Sequence, residues 1–211
     1  MIDISIALSA ATPEWPGDTP FSCGWTMQIA AGSSVNVSAF TTSPHVGTHA
    51  DAPLHVRDGE TGSERLPLEA FIGPVVVVNL VRHTGFIDRE MLRLAGLEAT
   101  PARLLLRTDR TIAHGEFPGD WPALSPACAA ALAADGLLLL GVDCPSVDMR
   151  ESKDLAVHHA LFDGGAFILE NLDLSHVPAG AYDLVAPPVK VVGIDAAPVR
   201  AVLRTPAARA R

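Results

Sequence analysis

Hydrophobic residues in this chain fall into short runs that are separated by glycine, proline and polar residues. The runs at 74–81, 103–108 and 137–143 are rich in valine and leucine, which is typical of strands buried inside a sheet. Residues 2–8 and 166–174 predict two further strands. The pattern therefore predicts a sheet at the centre of the molecule.

Two longer segments predict pairs of strands. Residues 26–42 contain two alternating runs around a turn at 31–33, which predicts a β-hairpin. The segment at 182–205 contains two strand-like runs around the proline pair at 187–188. Both segments add strands to the predicted total.

Three segments carry the signals of short helices. In residues 87–96, Asp88 near the start and a glycine near the end mark a helix. In residues 125–136, Ser125 is the predicted N-cap, with a proline at the first helical position. Residues 156–165 predict a short helix or turn.

The balance of elements predicts the fold class. Strands outnumber helices, so we predict an α/β (α+β) fold with a mixed sheet, or two packed sheets, and helices on the outside. A length of 211 residues fits a single domain, predicted to span residues 1–211.

Charge and cysteine content narrow the classes of function. A formal net charge of −9 without a basic stripe argues against a nucleic-acid partner. Three widely spaced cysteines without a Cys-x-x-Cys pair predict free thiols in a reducing cytoplasm. The N-terminus lacks a signal-peptide pattern, and the apolar runs are too short to cross a bilayer. We therefore predict a cytoplasmic protein with no membrane partner.

The stretch "SPHVGTHADAPLHV" at 43–56 concentrates metal-binding side chains. In an extended segment, His49 and Asp51 point to the same side, and Gly47 permits a bend that returns His45 to them. Two imidazoles and a carboxylate suit Zn²⁺, Mn²⁺ or Fe²⁺ and leave a position open for water. The alternative is that these histidines cap turns or lie on the surface.

A second cluster of such residues follows at 158–170. Glu170 lies in an otherwise apolar run, where a carboxylate is costly unless it is paired, hydrogen-bonded or bound to metal. The alternative is that Glu170 faces solvent on an edge strand. His158 and His159 are adjacent, so in an extended chain they point in opposite directions. Cys144 can be considered as a nucleophile, but a buried structural thiol is the simpler interpretation.

Several segments resemble the metal-dependent cyclase family. Residues 45–55 resemble its His-x-Gly-Thr-His-x-Asp-x-Pro-x-His signature. Residues 12–21, 151–160, 168–172 and 197–204 resemble other parts of its formamidase members, in the same order. The resemblance extends over nearly the whole chain and implies a cyclase-like swivelling β/β/α fold.

The resemblance also implies a site for two divalent metal ions, usually Zn²⁺, with Mn²⁺ also compatible. It implies that His45, His49 and Asp51 bind one ion. Asp51 would also reach the second ion together with His158, and Glu170 would contact both. A carboxylate can serve two cations in this way because it has two oxygens.

Three further residues take their interpretation from the same resemblance. His55 would be the general acid/base, since a free imidazole titrates near neutrality. Trp15 matches a tryptophan that contacts the substrate. Asn171 departs from the pattern expected of the formamidase members, which is glycine, and resembles other members of the family, so it bears on the substrate and not on the metal site.

The implied reaction is the hydrolysis of N-formyl-L-kynurenine to L-kynurenine and formate in tryptophan degradation. A hydroxide held between the two metals would attack the formyl carbon, with His55 as general acid/base. The implied partners are a small aryl amide substrate and a second copy in a homodimer. Two alternatives remain open: another amidohydrolase of the family that acts on isatin or a similar small amide, and a non-catalytic, metal-stabilised binding protein.

Overall fold

A nine-stranded mixed sheet organises the protein in a computed structural model that describes residues 1–206. The last five positions of the predicted domain, 207–211, lie outside the described residues. The strands are β1 (Ile2–Asp3), β2 (Ser22–Met27), β3 (Val37–Thr41), β4 (His49–Asp51), β5 (Ile72–Asn79), β6 (Phe86–Ile87), β7 (Arg103–Arg107), β8 (Ala123–Leu124), β9 (Leu139–Val142), β10 (Phe167–Glu170), β11 (Gly180–Val185), β12 (Ala196–Pro198) and β13 (Val202–Arg204). The α-helices are α1 (Leu68–Phe71), α2 (Arg89–Leu94), α3 (Pro126–Ala134) and α4 (Ala156–Asp163).

The large sheet has the order β1-β13-β11-β5-β7-β9-β10-β4-β12. Its central strands β5, β7, β9 and β10 are parallel, and the flanking pairs are antiparallel. The parallel strands are the aliphatic runs of the sequence, as expected for strands covered on both faces. The predicted α/β class with a mixed sheet is therefore confirmed.

The sheet curls until its two edges lie side by side. Strand β12 is at one edge and β13 lies beside the other edge, yet only residues 199–201 connect them. A linker of this length spans at most roughly 14 Å, so the edges must be close. Hydrogen bonds from Val199 N–H to Thr48 O and from Ile4 N–H to Ala201 O join the segments around this linker.

The two faces of the curled sheet bury separate hydrophobic cores. Leu105 and Leu139 point to the inside of the curl, whereas Leu104, Leu106 and Leu140 point outward. This alternation is the period-2 pattern of a strand. The outward side chains pack against residues of α2, α3 and α4, which cover that face as peripheral helices.

The helix signals and the hairpin of the sequence are confirmed. Asp88 caps α2 by accepting the N–H of Met91 at 2.9 Å, and Ser125 caps α3 by accepting that of Cys128 at 3.2 Å. Strands β2 and β3 form a hairpin in a separate two-stranded sheet, although β2 begins at Ser22 and only its last two residues lie in the predicted segment 26–42. In the described residues, no helix is both long and apolar enough to cross a membrane.

Two strand predictions differ from the structure. The first strand was predicted over residues 2–8, but β1 ends at Asp3, because Ile6 N–H turns to the hydroxyl of Thr48 instead of a sheet partner. The segment at 182–205 contains parts of three strands rather than two, since the edge strand β12 lies between β11 and β13.

Candidate metal centre

Strands β4 and β10 place three candidate ligands on one surface of the sheet. His49 and Asp51 are two residues apart, so their side chains share a face. Antiparallel pairing sets Glu170 of β10 directly opposite His49, and such cross-strand partners also share a face. The buried carboxylate of Glu170 therefore faces the site. The alternative interpretation, in which Glu170 faces solvent, is wrong.

A bend before β4 brings His45 to the same place. Gly47 has a φ of 72°, in the left-handed region that favours glycine, and an added Cβ would also require Leu8 Cδ2, 2.5 Å away, to shift. The bend leaves His45 Nδ1 3.1 Å from His49 Nε2 and 3.2 Å from Asp51 Oδ1. His49 Nε2 lies 3.3 Å from the same oxygen, which completes a triangle of three potential ligand atoms.

A second triangle shares Asp51 with the first. His158 Nε2, from α4, lies 3.4 Å from Asp51 Oδ2 and 3.5 Å from Glu170 Oε1. The other oxygen of Glu170 lies 3.5 Å from His49 Nε2. Asp51 thus presents one oxygen to each triangle, while Glu170 presents one oxygen to His158 of the second triangle and the other to His49 of the first.

The donor set fits a metal ion such as zinc. Ligand atoms about 2.0 Å from a tetrahedral ion are separated by roughly 3.3 Å, which matches the first triangle. Asp51 Oδ1 is fully buried and has no hydrogen-bond partner among the described residues, although two imidazole nitrogens lie close to it. An ion between these atoms would satisfy the carboxylate oxygen that the protein itself leaves unpaired.

Each histidine of the site has its second ring nitrogen held by an oxygen. His49 Nδ1 lies 2.9 Å from Gly47 O, and His158 Nδ1 lies 2.7 Å from Asp148 Oδ2. His45 Nε2 lies 2.9 Å from Asp195 Oδ2. Such contacts fix the tautomer and leave the other nitrogen, which here faces the triangles, available for a metal. Asp148, to which the sequence assigned no role, thus orients His158.

The carboxylates of the site stabilise positive charge on its imidazole rings. Burial opposes protonation of His49, but Asp51 and Glu170 outweigh it and raise its pKa to about 10. Burial likewise opposes protonation of His158, whose pKa Asp148 and Asp51 raise to about 10. Burial also favours the neutral form of Asp51, yet the surrounding imidazoles hold its pKa well below the usual value. Protons and a cation therefore compete for the same nitrogens.

His55 lies at the edge of the cluster, on the turn Pro53–His55. Its Nδ1 is 3.1 Å from Asp195 Oδ2, and its ring centroid is 4.3 Å from that of His45. His55 lies closer to the surface than His49 and Asp51 of β4, which are fully buried. A histidine in this position can exchange protons with a molecule in the adjoining cavity.

A cavity of about 370 Å³ opens beside the cluster. Trp15 lines it and makes edge-to-face contacts with Phe117 at 5.5 Å and with Trp121 at 5.8 Å between ring centroids. The polar residues of the cavity wall include three candidate metal ligands and three residues next to them, namely His45, His158 and Glu170, with His55, Asn171 and Asp195. The volume and mixed lining suit a small molecule with an aromatic ring and polar groups.

Other candidates from the sequence lie away from the two triangles. His159 accepts a hydrogen bond from Arg57 at 3.3 Å. The thiol of Cys144 is buried and donates to Ser146 O at 3.2 Å, and burial holds its pKa well above the usual value. It is therefore a structural thiol and not an activated nucleophile.

Asp195 was missed in the sequence. It is 140 residues from His55, and only the pairing of β12 with β4 brings it near. The signal available was a lone aspartate in "GIDAAP", directly before a short apolar run.

The fold and the cluster together define a class of protein: a curled α/β scaffold whose buried three-histidine, two-carboxylate centre fits divalent metal beside a small-molecule cavity. Residues 2–149 match the sequence model of the Cyclase family. The protein is 44% identical to a kynurenine formamidase of Salinibacter ruber, with 97% of each chain covered, and 43% identical to one of Bordetella avium, with 96% of each covered. The chain belongs to the Cyclase family.

Solved structures share the fold. A structure described as a potential metal-dependent hydrolase with cyclase activity is 27% identical, with a TM-score of 0.81 over 97% of this chain and 98% of that chain. Isatin hydrolase A of Labrenzia aggregata is 23% identical, with a TM-score of 0.81 over 97% of this chain and 93% of that chain. This second likeness concerns the fold alone.

Proposed function

We propose that the protein is a metal-dependent arylformamidase that hydrolyses N-formyl-L-kynurenine to L-kynurenine and formate in tryptophan degradation. The observation that carries the proposal is the pair of ligand triangles that share Asp51, with Glu170 in contact with a histidine of each, beside the cavity lined by His55. The 44% and 43% identity to kynurenine formamidases over nearly whole chains supports the choice of substrate.

The proposed cofactor is a pair of divalent ions, Zn²⁺ or, with the same ligands, Mn²⁺. His45, His49 and Asp51 would hold one ion, and Asp51, His158 and Glu170 would hold the other. Glu170 would contact both, because its two oxygens face the two triangles. When bound, such ions polarise a carbonyl and lower the pKa of water near neutral pH.

The proposed role of His55 is proton transfer. Hydrolysis breaks the bond between the formyl carbon and the aryl nitrogen, and the departing amine is a poor leaving group as an anion. The nitrogen must therefore gain a proton as the bond breaks. His55 Nε2 would first accept a proton from the attacking water and then pass it to this nitrogen, because Nδ1 is engaged by Asp195 at 3.1 Å.

The proposed role of Trp15 is to hold the aromatic part of the substrate. Its ring forms part of the wall of the cavity together with Phe117, and both Phe117 and Trp121 make edge-on contacts with it. An aryl ring stacked on or edged against this indole gains hydrophobic and quadrupole stabilisation.

The decisive experiment assays the purified protein on N-formyl-L-kynurenine and on isatin, before and after removal of metal by a chelator. We expect turnover of the formamide, its loss on chelation, and its return with Zn²⁺. Faster turnover of isatin would favour another amidohydrolase of the family. No turnover of either at full metal occupancy would favour a binding protein.

His55→Ala separates catalysis from metal binding in the same assay. We expect kcat to fall by roughly 10²–10⁴-fold, the usual contribution of a positioned acid/base, while bound zinc per chain stays unchanged. His114→Ala is the matched control, because His114 is exposed and lies outside the cluster and the cavity lining. Equal kcat for the His55 and control variants would contradict the role of His55.

The proposed assembly is a homodimer in the cytoplasm. Every residue of β2 and β3 is exposed, including the large apolar side chains of Trp25, Met27 and Phe40. An isolated two-stranded hairpin is marginal in water, so a covering surface would stabilise it. A second copy of the chain is the proposed cover, and the free thiols of the three cysteines are consistent with a reducing compartment.

A further inference from the structure

One carboxylate oxygen contacts both a candidate metal ligand and the candidate acid/base. Asp195 Oδ2 lies 2.9 Å from His45 Nε2 and 3.1 Å from His55 Nδ1. A carboxylate oxygen has two lone pairs, so it can accept a hydrogen bond from each ring. These two hydrogen bonds hold the pKa of Asp195 far below its usual value.

The backbone fixes the position of Asp195. Ala52 N–H donates to Asp195 O at 2.8 Å, and the next residue, Ala196, pairs with Asp51 across β12 and β4. The carboxylate therefore belongs to the same sheet segment as the ligands, and it contacts the ring nitrogen of His45 that is not part of the first triangle. Its side chain is 39% exposed, so it is not itself part of the buried ligand set.

We propose that Asp195 is a positioning residue of the active site, which directs His55 Nε2 into the cavity and His45 Nδ1 toward the metal. The inference rests on the proposed function, because its effect on kcat needs a substrate that turns over. By accepting hydrogen bonds from His45 Nε2–H and His55 Nδ1–H, Asp195 sets one tautomer in each ring. It thereby links the geometry of the proton donor to that of a metal ligand.

This assignment explains why His55 does not need to bind metal to be ordered. Its ring lies 4.3 Å from that of His45 between centroids, yet its only partner in the hydrogen bonds of the described residues is Asp195. Without that partner, the imidazole is free to rotate or to carry its proton on Nε2 at all times. Either change would remove the acceptor state that a proton shuttle needs between turnovers.

The test is a double-mutant cycle between Asp195→Asn and His55→Ala, measured at saturating zinc with N-formyl-L-kynurenine. We expect Asp195→Asn alone to lower kcat about 10–100-fold and to change KM less than about twofold. In the His55→Ala background, the same substitution should change kcat less than about twofold, because Asp195 acts through His55. Equal losses of kcat in both backgrounds, at equal zinc content, would overturn the proposal.

Two measurements need no turnover. Zinc affinity, measured by competition with a chelator, should fall about tenfold in Asp195→Asn, because His45 loses its partner, and stay unchanged in His55→Ala. The ¹⁵N shifts of the His55 ring should show the proton on Nδ1 in the zinc-loaded wild type and a shift toward Nε2 in Asp195→Asn. Unchanged zinc affinity together with unchanged ring shifts would also overturn the proposal.

The controls separate this proposal from the proposed function. Asp58→Asn makes the same chemical change at an exposed carboxylate and should leave kcat, zinc affinity and ring shifts unchanged. Circular dichroism of every variant tests whether it is folded. If the wild type does not hydrolyse the formamide, the proposed substrate is wrong, while zinc affinity and ring shifts still decide the role of Asp195.

Discussion

At the scale of single residues, Asn171 shows how backbone geometry restricts a position next to a candidate ligand. It follows Glu170 and has a φ of 55°, in the left-handed region that glycine and asparagine tolerate best. Its carbonyl accepts the hydroxyl of Thr48 at 2.6 Å, and its N–H donates to Cys144 O at 3.1 Å. Asparagine fits this turn, as would the glycine that the family resemblance leads us to expect here.

We therefore expect Asn171→Gly to be more stable than Asn171→Ala by roughly 1 kcal/mol, the strain that a Cβ adds in the left-handed region. Both variants remove the side-chain amide, so their difference isolates the backbone effect. Urea denaturation of the two proteins measures it. Ala130→Gly in the exposed middle of α3 is the control and should change stability in the opposite sense, because glycine destabilises a helix. A more stable Asn171→Ala variant would contradict the argument.

The residues of the candidate site differ in how far the sequence revealed them. His45, His49 and Asp51 lie within seven positions, and local geometry alone predicts that they can meet. The structure brings them together with His158, Glu170 and His55, while their roles as ligands and acid/base remain proposals. Asp195 and Asp148 were not assigned, because their contacts depend on strand pairing and on a loop packing against α4, which no local pattern encodes.

At the scale of elements, β4 is short but decides the geometry of the site. Its three residues lie between β10 and β12, so one strand brings Glu170 and Asp195 to the same cluster. The sequence analysis considered an extended segment here, but it did not count His49–Asp51 among the predicted strands. The helices and the long aliphatic strands were predictable because their signals, caps and continuous apolar runs, are local.

Asp143 ties the ends of two neighbouring parallel strands, β9 and β7. Its carboxylate accepts the N–H groups of Thr108 and Asp109, each at 2.9 Å, and the hydroxyl of Thr108 at 2.6 Å. Burial raises its pKa to about 6, because the cost of burying the charge outweighs these three hydrogen bonds. Between the unfolded pKa near 4 and the folded pKa, the native state holds a proton that the unfolded state has lost.

It follows that this group stabilises the fold fully below about pH 4 and loses that contribution as pH rises through about 6. Relative to Asp143→Asn, which does not titrate, the wild type should lose roughly 2–3 kcal/mol between pH 4 and pH 7. Urea unfolding of both proteins across this range, in chelator to remove metal effects, measures the difference. Parallel curves, or a wild type that gains stability with pH, would show that the hydrogen bonds keep the carboxylate ionised.

At the scale of the whole molecule, the hairpin β2–β3 lies outside the large curled sheet. It forms a separate two-stranded sheet, while residues 199–201 link β12 to β13 and bring the edges of the large sheet close together. The sequence predicted the hairpin correctly, since alternation is local, but not the curl, which depends on pairings between distant segments such as β4 with β12. Phe40 on this hairpin is 66% exposed, and within the part of the chain that the structure describes it stacks only on Phe21, at 5.9 Å between centroids.

If a second copy covers this surface, a charge placed on it should separate the subunits. We expect Phe40→Glu to convert a dimeric wild type to a monomer in sedimentation velocity, because burying an unpaired carboxylate at an interface costs several kcal/mol. Leu94→Glu is the matched control: Leu94 is 72% exposed on α2, away from the hairpin, and its variant should stay dimeric. A monomeric wild type, or a Phe40→Glu protein that remains dimeric, would show that the hairpin is not the interface. Because zinc content is measurable in both variants, the same samples also reveal whether the metal centre is complete within one subunit.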